Sequence, residues 1–144
     1  MPLFTCVDHM NVQVSPDREE EALAFYRDLI GFIPLQKPDS LGPRGGHFCV
    51  SEDPWYELHV GVARGTSSSE LDKDSPLRNH LAFQVVDLLE TRQKFEQSGI
   101  DVIEAQPACS EARNFYQERF FVRDPGGNLL EILEKRQPYQ AVRN

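Results

Sequence analysis

Four side chains of the kinds that bind divalent metal ions occur in two matched pairs along this chain: His9 with Glu57, and His80 with Glu131. The separations are similar, 57 − 9 = 48 residues in the first pair and 131 − 80 = 51 in the second. Glu131 lies between two apolar residues, where a carboxylate is unfavourable unless it is paired or coordinates a cation. Imidazole and carboxylate ligands together suit Zn, Fe(II), Mn, Ni or Co. We therefore predict that His9, His80 and Glu131 hold one divalent metal ion.

The fourth ligand has two candidates on one predicted strand. Glu57 is the symmetry mate of Glu131 in the sequence repeat, and His59, two residues further on, faces the same side of the strand. We predict Glu57 as the ligand, with His59 as the alternative, and the remaining one as a catalytic group that handles protons or orients the site. His47 follows the Gly-rich stretch 44–46 and breaks the repeat, so it is predicted to be a surface or pocket residue.

The metal hypothesis depends on an internal repeat. The heptapeptides DHMNVQV and NHLAFQV occupy residues 8–14 and 79–85, and both read polar, His, three residues, Gln, Val. Each is followed by a helical pattern that ends in glycine, at Gly31 and at Gly99. Each half then closes with an apolar stretch that carries a Glu. If the halves pair about a pseudo-twofold axis, equivalent residues converge on that axis.

This pattern predicts an α+β fold made of two βαβββ units within a single domain, 1–144. The repeat covers residues 4–64 and 77–135. Residues 65–76 are small, polar and without periodicity, and are predicted to form the linker between the two units.

The first predicted helix has one apolar face and defined ends. Ser15 is expected to be its N-cap, followed by Pro16 in the first turn, and Gly31 its stop. The apolar face recurs at helical spacing and consists of Ala22, Phe25, Tyr26 and Leu29.

The second predicted helix carries the same signals. Asp87 and Glu90 form a pair that resembles a capping box, Leu88 and Phe95 share one stripe, and Gly99 ends the helix.

The remaining elements are predicted to be strands. In residues 9–14 and in the segment from His80 to Gln84, polar and apolar side chains alternate, so that the two histidines lie on the polar faces. Residues 124–128, DPGGN, form a strong turn signal. Residues 107–118 are predicted to be an irregular loop of the kind that often covers a binding site. The other strands are expected at 32–36, 47–50, 55–62, 101–104, 119–123 and 129–134.

Composition excludes several classes of partner. The chain has 144 residues, 40% hydrophobic and 26% charged, with a net charge of −8. Without clusters of Lys and Arg it is not expected to bind nucleic acid. It has no apolar run long enough for a membrane helix and no secretory signal at its N-terminus, so a cytoplasmic location is expected. The three cysteines, Cys6, Cys49 and Cys109, are predicted to be reduced and mostly buried.

Several landmarks occur in a familiar order. These are His9, AFYRDLIGF at 24–32, ELHV at 57–60, HLAFQV at 80–85 and DPGGNLLE at 124–131. In this pattern, from about residue 4 to about residue 135, the sequence resembles the glyoxalase/bleomycin-resistance/dioxygenase superfamily, also called vicinal oxygen chelate proteins.

The resemblance implies paired βαβββ modules that form a curled mixed sheet around a U-shaped cleft. Metal ligands in such proteins come from the first and last strands of each module. By position these are His9, the strand of Glu57 and His59, His80 and Glu131. The resemblance also implies a homodimer.

Two functions fit this expectation. The first is a metal-dependent enzyme, a lyase or dioxygenase, whose small substrate offers two adjacent oxygens to the ion. Arg44, Arg113 or Arg119 would anchor a substrate carboxylate. The second is a metal-free protein that binds an antibiotic or another drug. Aromatic side chains would serve it by stacking and cation–π contact: Trp55, Tyr56, Phe115 and Tyr116.

Overall fold

The computed structural model describes residues 8–62 and 80–139. They divide into two compact units, of which the first contains residues 8–62 and 124–128 and the second contains 80–123 and 129–139. The predicted linker 65–76 and Cys6 lie outside the described residues. No helix in the described part of the chain is long and apolar enough to cross a membrane.

The first unit is a βαβββ module with a four-stranded mixed sheet. Its order is β1-β4-β3-β2, in which β1 runs parallel to β4 and the other neighbours are antiparallel. One continuous helical segment follows β1: a 3-10 turn, Pro16–Arg18, then α1, Glu19–Ala24, then a π-helical turn, Phe25–Ile30. A second 3-10 turn spans Asp39–Leu41. The strands are β1, His9–Val14; β2, Ile33–Leu35; β3, Gly46–Glu52; and β4, Trp55–Val62.

The second unit repeats this arrangement with a small insertion. Its sheet has the order β5-β10-β9-β6, and again the first strand runs parallel to the last. A two-stranded hairpin, β7 with β8, is inserted before β9. The elements are β5, His80–Gln84; α2, Leu88–Gln97; β6, Ile103–Glu104; β7, Ala108–Ser110; β8, Phe115–Gln117; β9, Arg119–Arg123; and β10, Leu129–Leu133. Two βαβββ-like modules are therefore confirmed, and the cleft between them stays a prediction.

The first helical segment buries three of the four residues of the predicted face, and Leu29 is only half-buried. Ala22, Phe25 and Tyr26 are buried in its unit. Gly31 ends the segment at φ 89°, in the left-handed region that favours glycine. Ser15 occupies the N-cap position, but its side chain does not cap the helix. Its hydroxyl instead forms a hydrogen bond that lowers the pKa of Asp17, so the predicted capping interaction is wrong.

The second helix is capped as predicted. The side chain of Asp87 accepts a hydrogen bond from the backbone N–H of Glu90 at 2.8 Å. Phe95 is buried, and Gly99 follows the helix at φ 76°.

The stretch 107–118 differs from its prediction. It contains the hairpin of β7 and β8, in which Cys109 pairs with Tyr116, instead of an irregular loop. Its strands are only three residues long and carry little alternation, so the sequence pattern does not distinguish them from a loop. Cys109 is exposed, which corrects the prediction for that thiol, whereas Cys49 is buried as predicted.

Gly45 fixes the loop that leads into β3, and its replacement by Ala should destabilise the protein. Its φ is 75°, and a Cβ atom would overlap the carbonyl oxygen of Val60 on β4. We expect Gly45→Ala to lower the free energy of unfolding by about 2–4 kcal/mol, measured by urea denaturation. Gly99→Ala is the matched control, because Gly99 has φ 76° and open space around it. Equal losses in the two variants would contradict the proposed steric cause.

Candidate metal centre

Strand pairing in the first module places three histidines on one face of the sheet. His59 lies on the central strand β4, opposite His47 of β3 and opposite Asn11 of β1. His9 lies opposite Glu57. Because side chains two residues apart on a strand share a face, Glu57 and His59 both project toward these neighbours.

The three imidazole rings stack in a row. The ring centroids of His47 and His59 are 3.5 Å apart with an interplanar angle of 1°, and those of His9 and His59 are 4.1 Å apart at 16°. Glu57 Oε2 lies 2.7 Å from His59 Nε2, and Glu57 Oε1 accepts a 2.9 Å hydrogen bond from Trp55 Nε1. We call these four residues, His9, His47, Glu57 and His59, the histidine cluster.

The electrostatics of the cluster favour an ionised carboxylate beside neutral imidazole. Hydrogen bonds from His59 and Trp55 lower the pKa of Glu57. Burial, followed by the neighbouring His59, lowers the pKa of His47, so its ring is neutral at neutral pH. An ionised carboxylate only accepts hydrogen bonds, so His59 Nε2 carries the proton in its contact with Glu57.

The second module brings its own predicted residues into contact. Glu131 of β10 is 6% exposed. Its Oε2 lies 2.9 Å from His80 Nε2, and its Oε1 accepts a 2.8 Å hydrogen bond from Arg119. The His80 ring packs edge-on against Phe121, with the ring centroids 5.6 Å apart. Arg119 thus balances the buried charge of Glu131, so the burial of this carboxylate does not by itself require a metal ion.

The pairing of the first strand with the last strand in each module shows which residue of β4 corresponds to Glu131 of β10. His9 pairs with Glu57 on the parallel strand, and His80 pairs with Leu129 in the same way. Glu131 lies two residues beyond Leu129, so its counterpart lies two residues beyond Glu57 and is His59. The sequence alignment of Glu57 with Glu131 was therefore two residues out of register. The repeat supports His59, the alternative fourth ligand.

The donor set of the histidine cluster fits a divalent metal ion. The ligand atoms of His47, Glu57 and His59 lie within 4.8 Å of one another, the only group of three donors this close in the described ranges. Two imidazoles and a carboxylate are a common ligand set for Zn and Fe(II). The sequence predicts His47 as a surface or pocket residue, and it lines a cavity. The sequence does not place His47 with the metal ligands. Its alignment opposite His59 depends on the register of β3 against β4, which no local motif encodes.

The three arginines considered as substrate anchors already have partners. Arg44 pairs with Glu19, with Nε 2.6 Å from Oε2. Arg119 pairs with Glu131, and the guanidinium of Arg113 lies 5.0 Å from the Phe115 ring centroid.

Comparisons with known proteins agree with this architecture. Residues 7–132 match the family model described as the glyoxalase/bleomycin resistance protein/dioxygenase superfamily. The chain is similar to "Glyoxylase I 4" of Arabidopsis thaliana, with 28% identity over 135 residues that cover 90% of this chain and 70% of the plant protein.

Solved structures share the fold. A protein of Bacillus anthracis assigned to the glyoxalase family is 31% identical, with a TM-score of 0.69, and the match covers 94% of this chain and 98% of that one. A lactoylglutathione lyase of Agrobacterium tumefaciens is 21% identical, with a TM-score of 0.60 and coverage of 92% and 96%. With the family model matching most of its length, the chain belongs to the glyoxalase/bleomycin resistance protein/dioxygenase superfamily.

Proposed function

We propose that this chain is a metal-dependent enzyme, a lyase or dioxygenase, that acts on a small substrate with two adjacent oxygen atoms. The observation that carries the proposal is that each module brings a histidine of its first strand against a donor residue of its last strand, His9 against His59 and His80 against Glu131. Membership of the superfamily and the similarity to a plant protein named for glyoxylase I support it.

The proposed ligands are His9, His59, His80 and Glu131, one residue from the first strand and one from the last strand of each module. Each pair is in contact within its own module, His9 with His59 through ring stacking and His80 with Glu131 through a 2.9 Å contact. That both pairs serve one ion is part of the proposal. His47 packs against His59 and supports the orientation of its ring.

Carboxylates fix which imidazole nitrogens are free to bind a metal ion. Glu57 accepts a hydrogen bond from the N–H at His59 Nε2, which leaves the Nδ1 lone pair available. Asp8 Oδ1 lies 2.7 Å from His9 Nδ1, which favours a proton there and leaves Nε2 available. A carboxylate on the far nitrogen orients a metal-bound imidazole and increases its basicity. Glu57 is therefore proposed as a positioning residue, because its lowered pKa makes it a poor proton acceptor.

The bound ion would supply Lewis-acid chemistry, polarising the adjacent oxygens of the substrate and stabilising the negative charge that develops on them. The protein's own groups hold the ligands in place and limit access of water. The side chain of His59 is 18% exposed and that of Glu57 is 25% exposed, so a small molecule has partial access to the site.

The metal-free antibiotic binder is the weaker alternative. Its proposed stacking surface is largely occupied, because the Phe115 ring is covered by Arg113 and Arg136, at 5.0 and 4.9 Å from its centroid. The Tyr116 hydroxyl is hydrogen-bonded to Glu118. Trp55 remains 48% exposed, but its indole N–H is used by Glu57. A homodimer and a cytoplasmic location stay predictions.

Metal analysis of protein purified without an affinity tag tests the proposed function. We expect about one divalent ion per chain, removable by a chelator and restored by Zn(II), Fe(II), Mn(II), Ni(II) or Co(II). The reconstituted protein should act on a member of a panel of catechols, thiol adducts of 2-oxoaldehydes and 2-oxoacids, and the chelated protein should not.

A substoichiometric metal content that His80→Ala and Glu131→Gln leave unchanged would refute the proposed site. Full affinity for an antibiotic in chelator-treated protein would favour the metal-free binder instead.

A further inference from the structure

A cavity of about 610 Å³ opens beside the histidine cluster, entirely within the first module. It is lined by His47 and His59 on the sheet and, from the loop before β3, by Lys37 and residues 41–44. The cavity therefore lies where a molecule in contact with the proposed metal ligands would extend.

The charge of this cavity is opposite to that of the chain. The chain carries a net charge of −8, yet the described residues that line the cavity include Lys37 and Arg44 and no carboxylate. The charge of Arg44 is balanced by Glu19, whose other carboxylate oxygen accepts the backbone N–H of Gly45 at 2.7 Å.

Lys37, unlike Arg44, is held by backbone carbonyl groups. Its ammonium group donates to two backbone carbonyl oxygens, those of Gly42, at 3.0 Å, and of Arg44. Carbonyl groups orient an ammonium group without cancelling its charge, and an ammonium group has three N–H donors. Among the side chains that the structure describes, a set that does not include Asp39, no carboxylate forms an ion pair with Lys37. A positioned cation with one N–H to spare thus lines the cavity.

We propose that this cavity binds a carboxylate or phosphonate group of the substrate, with Lys37 as the residue that recognises it. The rest of the lining is largely apolar, with Leu41, Pro43, Val60 and Val62, so the charged group would be attached to a short apolar body. The inference rests on the proposed function for the part that the metal plays, because the anionic end would be held here while the adjacent oxygens face the histidine cluster. Anion binding itself does not require the ion.

The test measures binding of three probes that share a phenyl group, benzoate, phenylphosphonate and neutral benzamide, to the full chain after treatment with a chelator. Isothermal titration calorimetry should give tighter binding of at least one anion than of benzamide, by roughly tenfold. Lys37→Gln should remove this preference, whereas Lys37→Arg, which keeps the charge, should retain most of it. Lys94→Gln, a change at an exposed lysine of α2, is the matched control and should leave the preference intact. A preference for one of the two anions identifies the group.

Three results would overturn the inference: equal affinities for the anions and benzamide, a preference that survives Lys37→Gln, or an equal loss in Lys94→Gln. Because the protein is free of metal in this experiment, failure of the metal proposal leaves the result unaffected. Stoichiometric metal with no preference for an anion would refute the inference and leave the proposed function standing.

Discussion

Replacing His59 with Ala should lower the affinity for Co(II) by more than about 100-fold, and Glu57→Gln should lower it by about 10- to 100-fold. The difference follows from the register, which makes His59 the counterpart of Glu131 and leaves Glu57 hydrogen-bonded to the far side of the His59 ring. Activity of the reconstituted protein should fall in the same order. Co(II) is the ion of choice, because its visible absorption reports the ligand geometry independently of activity.

Glu52→Gln is the matched control, since Glu52 lies exposed at the end of β3 in the same module. It should bind Co(II) as the wild type does. A loss in Glu57→Gln as large as that in His59→Ala would assign the fourth ligand to Glu57. Metal affinity that depends on His47 but not on Glu131 would instead place the ion wholly within the histidine cluster.

Sequence periodicity was sufficient for most of the fold. The bounds predicted for 9–14, 55–62 and 119–123 are those of β1, β4 and β9. The first of these alternates clearly, and turn residues border the others, so the ends are marked locally. The repeat predicted two modules of the same topology, and both are present.

The symmetry mate of Glu131 and the neighbours of His47 could not be predicted, because both depend on strand register, which the local sequence does not encode. Side chains alternate with a period of two, so moving the alignment by two residues from Glu57 to His59 leaves the same face exposed and the pattern unchanged. The position of His47 depends on the pairing of β3 with β4, whose register shifts between Cys49 and Ser51. The arrangement of the two modules about a shared ion is a long-range property of this kind and stays a prediction.

We expect the buried hydrogen bond between Tyr26 and Asp124 to contribute more to the free energy of unfolding than any other polar contact described in the first unit. The Tyr26 hydroxyl, in a residue that is 0% exposed, donates to Asp124 Oδ2 at 2.6 Å, across 98 positions of sequence. Asp124 also accepts hydrogen bonds from the backbone and side chain of Asn128, whose amide donates in turn to the Gln13 carbonyl. These hydrogen bonds connect the DPGGN turn to the first helical segment, through Tyr26, and to β1, through Gln13.

Replacing Asp124 with Ala should lower the free energy of unfolding by about 3–5 kcal/mol, because it leaves buried donors without their acceptor. Tyr26→Phe removes one donor and should reduce it by about 1–3 kcal/mol. Asp101→Ala, at an exposed position, controls for the loss of a carboxylate and should have little effect. Urea denaturation provides the measurement, and a loss below about 1 kcal/mol in Asp124→Ala would contradict the importance of the network.

The same carboxylate predicts how stability depends on pH. Burial raises the pKa of Asp124 above its usual 3.8, although hydrogen bonds from Tyr26 and Asn128 lower it in part. A group whose pKa is raised by folding contributes stability that is complete below its unfolded pKa and is lost as the pH rises through its folded pKa. The stability of the wild type relative to Asp124→Asn, which does not titrate, should therefore be greatest below about pH 4 and should decline as the pH rises through the higher folded pKa. A difference that grew with pH over this range would mean that hydrogen bonding outweighs desolvation at Asp124, with its pKa lowered by folding instead.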